Sequence, residues 1–124
     1  AFTDPELVTF ELDIYWIEKS GLTAQSYFKK YPGRFAMWHI KDMSKAYTET
    51  IVGKDYDKLP LDSIFGKIKY TEVGTGAIDY TLLKDSEKES GLKLAFVEQD
   101  DIYIPNKFES IQKSYDYVQK YLAK

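Results

Sequence analysis

The sequence contains no cysteine. Disulfide cross-links, thiolate nucleophiles and cysteine-ligated zinc are therefore excluded, while the redox compartment stays open between cytoplasm and periplasm. It has no apolar run near the roughly 20 residues of a membrane helix. It also lacks positive charge in excess: the net charge is −3, so no basic footprint points to nucleic acid. Histidine occurs once, at His39. What remains is a chain of 124 residues, long enough for one domain with a hydrophobic core. Eleven tyrosines fit packing at a wet surface, and for some of them stacking on sugars. The opening Ala1-Phe2-Thr3-Asp4-Pro5 carries no initiator methionine and reads as a start left by a removed leader or by a boundary within a longer protein.

The stretch Phe35-Ala36-Met37-Trp38-His39-Ile40-Lys41-Asp42 begins as an apolar strand and ends in polar chemistry. Period-2 alternation puts Phe35, Met37, His39 and Lys41 on one face and Ala36, Trp38, Ile40 and Asp42 on the other. A first strand is expected over 8–15, with Thr9, Glu11, Asp13 and Tyr15 on its polar face. Thr23 is an expected N-cap for a helix over 22–31, which Pro32-Gly33 stops. A second strand follows over 34–40. Strand, helix and strand in this order form a βαβ unit, which implies a parallel sheet with a right-handed crossover.

The pattern then breaks down over 44–75. Residues 44–70 read as a long insertion, either a lid over the end of the His39 strand or a plain surface excursion, with 64–70 as a short strand or arm. Gly74-Thr75-Gly76 suggests a tight turn, or a phosphate-cradling loop ahead of a helix. Asp79 is an expected N-cap for a helix through Ser90, closed by Gly91. A third strand is expected over 92–98. A closing helix over 106–124 shows Phe108, Ile111, Tyr115, Val118 and Leu122 at spacings of three and four. Three strands thus end in Asp13, His39 and Glu98, at the strand ends where parallel α/β proteins place their chemistry. Taken singly, Asp13 also fits a helix cap, His39 a satisfied core histidine and Glu98 a solvated strand end.

Four signatures in order carry a family likeness: Glu11-Leu12-Asp13-Ile14-Tyr15-Trp16, then Tyr31-Pro32-Gly33-Arg34 leading to His39-Ile40-Lys41-Asp42, then Glu72-Val73-Gly74-Thr75-Gly76-Ala77-Ile78-Asp79-Tyr80, and Phe96-Val97-Glu98-Gln99-Asp100. With them the chain resembles the C-terminal part of sugar phosphate isomerase/epimerase proteins, the xylose isomerase-like TIM barrels. The likeness covers the chain outside the 44–70 insertion. It implies the last three β/α units of a (β/α)8 barrel, incomplete as a barrel alone, paired with a missing N-terminal part or self-associated. It also implies a divalent metal held by Asp13, His39 and Glu98, with a fourth ligand from a strand upstream of Ala1. Some family members bind substrate through a histidine shortly after the metal aspartate; here that place is Trp16, an expected substrate contact.

One imidazole among carboxylates makes a hard, oxygen-rich site that suits Mn, Mg or Co better than structural zinc. Such an ion polarises a sugar carbonyl and stabilises an ene-diolate, and Glu98 is the expected base for the proton next to that carbonyl. Lys41 is the expected cation for an oxyanion or a phosphate, or else a salt-bridge partner of Asp42 or Asp100. The reading is a metal-dependent sugar or sugar phosphate isomerase or epimerase. Its rivals are a metal-dependent lyase or dehydratase acting on a keto-sugar or inositol derivative, and a non-catalytic carbohydrate-binding protein on the same fold.

Overall fold

The structure is a computed structural model that describes residues 3–53 and 55–123. Three parallel strands form its centre: β1 (Glu11–Asp13), β2 (Met37–Ile40) and β5 (Leu94–Val97), in the order β1-β2-β5. Helices α1 (Ile14–Lys19) and α2 (Ala24–Lys30) connect β1 to β2; α4 (Tyr80–Lys84) and α5 (Glu87–Ser90) precede β5; α6 (Lys107–Tyr121) closes the chain. Between them, β3 (Asp42–Met43) pairs antiparallel with β4 (Tyr70–Thr71), and a 3-10 turn (Tyr56–Lys58) and α3 (Leu61–Phe65) lie in the excursion that this pair closes. Strands with helices on their outer side are consecutive β/α units, and the described residues form no closed barrel. No helix among the described residues is long and apolar enough to cross a membrane.

The core lies between the sheet and the helices. Trp38 and Ile40 point outward from β2 and are buried against Phe28 of α2 and Tyr80 and Leu83 of α4. Phe28 stacks flat on Trp38, with ring centroids 4.8 Å apart. A smaller cluster joins Tyr15 of α1 to Met43 of β3 and Tyr70 of β4. Local chemistry sets the helix starts. The carboxylate of Asp13 accepts from the backbone N–H of Trp16, the hydroxyl of Thr23 from Ser26, and the carboxylate of Asp79 from Leu82.

Several expected boundaries move. The first strand ends at Asp13, not at 15, because Asp13 caps α1 and turns Ile14 and Tyr15 into helix. The helix expected over 79–90 is two short helices broken at Asp85 and Ser86, with Gly91 in the left-handed region that ends the second. Residues 64–70 are not one strand: Ile64 and Phe65 finish α3, and only Tyr70 pairs. The apolar series on α6 is only partly core. Val118 and Leu122 pack inward, but Phe108, Ile111 and Tyr115 are exposed, and Ser110 and Ser114 are the buried residues in that part of the helix. The Ser114 hydroxyl accepts the backbone N–H of Val73 at 3.1 Å, which sets this rotation.

The Gly-x-Gly loop does not cradle an external anion. It wraps around Asp42, which is 1% exposed. The Asp42 carboxylate accepts the N–H groups of Gly74 and Gly76, both at 2.9 Å, with Met43 at 2.7 Å and Ile78 at 3.2 Å. At Gly76 an added Cβ would collide with that carboxylate and with the carbonyl of Met43. Replacing Asp42 by asparagine turns an acceptor into an NH2 that faces backbone N–H groups. Asp42→Asn should therefore lower unfolding stability by about 1–3 kcal/mol, read as a lower urea midpoint with an unchanged slope. An unchanged midpoint would show that the loop closes without this carboxylate.

Candidate active site

The parallel register sets the site. Asp13 of β1 stands opposite His39 of β2, and His39 opposite Phe96 of β5. Glu98 follows β5 by one residue and keeps its pairing, its N–H donating to the carbonyl of Ile40 at 3.0 Å. Alternation then brings Glu98 to the face of His39 and Phe96. Phe96 meets the imidazole edge-on, with centroids 5.9 Å apart.

His39 is gripped at both nitrogens. Its Nδ1 faces Glu98 Oε2 at 3.0 Å and Asp13 Oδ2 at 3.7 Å, and its Nε2 contacts Glu11 Oε1. Asp13 divides its carboxylate between two tasks: Oδ1 caps α1 at Trp16, and Oδ2 faces the site. The cap reading and the site reading thus describe the same residue.

Lys41 is buried, at 6% exposure, and its ammonium lies among three carboxylates. Asp13 Oδ2 is 3.1 Å away, Glu98 Oε2 3.0 Å, and both oxygens of Asp100 lie within 3.2 Å. Burial pushes the Lys41 ammonium down, but its hydrogen bonds to Glu98, Asp13 and Asp100 outweigh this and hold it above the ordinary lysine range. Of the two expected salt-bridge partners, Asp100 is the one it meets; Asp42 points the other way, into the Gly-x-Gly loop. Trp16, on α1, is 40% exposed and leans edge-on against Tyr15.

Asp13, His39 and Glu98 each offer one donor atom, and these three atoms lie within 4.8 Å of one another. Ligands on opposite sides of an ion at about 2.0–2.6 Å each stand at up to roughly that separation. Two carboxylate oxygens and one imidazole nitrogen are also the donor chemistry of a hard divalent ion. On spacing and on donor type, the residues fit one.

Two further carboxylates join the site that the sequence offered only as neighbours of it, Glu11 on the face of Asp13 and Asp100 as a salt-bridge partner of Lys41. Glu11 and Asp100 lie two residues before Asp13 and two after Glu98, and period-2 alternation places each on the site face. That periodicity was the signal available for both. Further support comes from the 44–70 excursion, whose two arms are tied to α1. Buried Lys19 donates to the carbonyls of Tyr47, Glu49 (2.8 Å) and Lys67 (2.7 Å), and Ile51 donates to the carbonyl of Lys19 at 2.7 Å.

The arrangement of these strands and helices recurs in solved proteins. A sugar phosphate isomerase/epimerase from Parabacteroides distasonis ATCC 8503 superposes with a TM-score of 0.67 and 25% identity, over 94% of this chain and 32% of that one. The chain is similar to part of a sugar phosphate isomerase/epimerase. A second such structure from the same organism gives a TM-score of 0.64 at 24% identity, over 95% of this chain and 33% of that one. The chain thus spans about a third of the length of these proteins. No protein-family model and no curated protein matches it. The fold is that of β/α units from a TIM barrel, with no barrel closed among the described residues.

Beneath the site, burial pushes the phenol of Tyr15 up to about 12, against the backbone N–H of Lys69 that its oxygen accepts. Tyr70 is raised by burial and by its hydrogen bond to Asp100. A phenol raised in the folded state contributes stability that is complete below its unfolded pKa of about 10 and lost as pH climbs through the folded value. Phenolate absorbance should therefore show Tyr15 ionising near 12, with stability falling between about pH 10 and 12. Replacing Tyr15 with phenylalanine should flatten that part of the stability profile. A profile equal to that of the wild type would place the alkaline transition elsewhere.

Proposed function

We propose that this chain carries part of the active site of a divalent-metal-dependent sugar or sugar phosphate isomerase or epimerase. The observation that carries the reading is the meeting of Asp13, His39 and Glu98 at the ends of three adjacent parallel strands. The likeness to sugar phosphate isomerase/epimerase structures supports the same class. Asp13, His39 and Glu98 would hold the ion, with Mn, Mg or Co preferred for their oxygen-rich donors. When bound, it polarises a sugar carbonyl and stabilises the ene-diolate that follows proton loss.

The chain's own residues do the rest. Glu98 is the base. His39 and Lys41 both meet it through Oε2, and among the described residues no hydrogen bond occupies Oε1. Oε1 is thus the oxygen that takes the proton next to the carbonyl and, in an isomerisation, returns it on the same face to the neighbouring carbon; in an epimerisation a second acid on the opposite face supplies the proton. Lys41 holds Asp13, Glu98 and Asp100 in place, and a sugar oxygen reaches its ammonium by displacing one of them. Trp16 offers its exposed ring face to the apolar face of a sugar.

The unpartnered surfaces fit a larger assembly. Leu94, Phe96 and Val97 of β5 are exposed, and a groove of about 360 Å3 runs between Val97, Ile102, Ile111 and Tyr115. Further strands and helices of a complete barrel would cover this groove and the free sheet edge. In the complete protein, Glu98→Gln should lower kcat by about 10²–10⁴-fold and stop exchange of the proton next to the sugar carbonyl with solvent. Chelation should abolish turnover in the wild type, and Mn, Mg or Co should restore it. Wild-type turnover by Glu98→Gln would remove Glu98 as the base. A chelated protein that keeps its activity would remove the metal. Products assayed over free, phosphorylated and 3-keto sugars separate isomerisation from elimination.

A further inference from the structure

The contact between Glu11 and His39 has no part in the chemistry described so far. Glu11 lies on the site face of β1, level with Met37 and one residue pair short of the strand end. Its carboxylate touches His39 Nε2, while Asp13 and Glu98 face Nδ1 of the same ring. It is not among the three residues whose donors converge. The imidazole stands between it and that centre.

We infer that Glu11 is a positioning residue that selects the His39 tautomer able to bind a cation; this rests on the metal reading above. A neutral imidazole has one N–H and one lone pair. With a cation shared by Nδ1, Asp13 and Glu98, the proton is left to Nε2, where the Glu11 carboxylate accepts its hydrogen bond. Nδ1 is then left with its lone pair directed at the space shared with Asp13 and Glu98. The opposite tautomer would aim an N–H there and could ligate nothing. Glu11 also anchors one edge of the ring, and Phe96 meets the ring edge-on.

Glutamine at this position keeps the shape but adds an NH2 that can donate to Nε2 and favour the wrong tautomer. In the complete protein, Mn2+ titrated by calorimetry should bind Glu11→Gln about 10–100-fold more weakly than wild type. With Mg2+ bound, nitrogen NMR of His39, assigned by comparison with His39→Ala, should show Nε2–H in wild type and a mixture or the reverse in Glu11→Gln. Because Glu11 acts through His39, adding Glu11→Gln to His39→Ala should change Mn2+ affinity no further. Equal affinity in Glu11→Gln and wild type would overturn the inference and leave the metal reading intact. So would a loss of the same size in the absence of His39. A wild type that binds no Mn2+ would overturn both.

Discussion

The burial of Asp42 is the interaction on which the rest of the molecule depends. A carboxylate withdrawn from water is tolerated only when its oxygens are hydrogen-bonded, and here four backbone N–H groups supply those bonds. Burial raises this carboxyl above the ordinary range, and the four donors work against that. The donors come from Met43 and from the loop before α4, so one side chain joins the end of the β2 strand to the start of the next β/α unit. Tyr80 strengthens the join by donating to the carbonyl of Lys41 at 2.6 Å. With residues 41 and 42 held, Lys41 is fixed on the opposite face, and its ammonium reaches the acids of the site.

That opposite face has an unusual charge balance. Glu11, Asp13, Glu98 and Asp100 surround one ammonium and one imidazole. In water such a cluster would spread apart. Here the backbone register and the Asp13 cap hold the groups together, and Lys41 offsets part of their repulsion. The proposed divalent cation would offset the remainder, an electrostatic reason for that proposal that is independent of the likeness to isomerases. The other face of the same strand is apolar: Trp38 and Ile40 pack with Phe28 and Leu83 in the core.

The free edge of β5 and the outward half of α6 belong to the same picture. A sheet of three short strands leaves polar backbone groups and apolar side chains open at its margin. The solved isomerase/epimerase structures are about three times as long, which is the scale at which such margins are paired and covered.

Local chemistry made part of this protein legible in the sequence. Thr23 and Asp79 announce helix starts because a short polar side chain satisfies N–H groups two or three residues away. Alternation around His39 separates the apolar face from the polar one because side chains in a strand alternate whatever the fold. The order of Asp13, His39 and Glu98 at strand ends follows from the same local signals. The tertiary structure alone decided which groups meet. It paired Lys41 with Asp100 rather than Asp42, filled the Gly-x-Gly loop with an internal carboxylate, turned Ser110 and Ser114 of α6 inward in place of Phe108 and Ile111, and set Glu11 against the far nitrogen of His39. Each of these depends on the register between strands distant in sequence and on competition among several acids for few donors, and neither is written in the neighbours of any one residue.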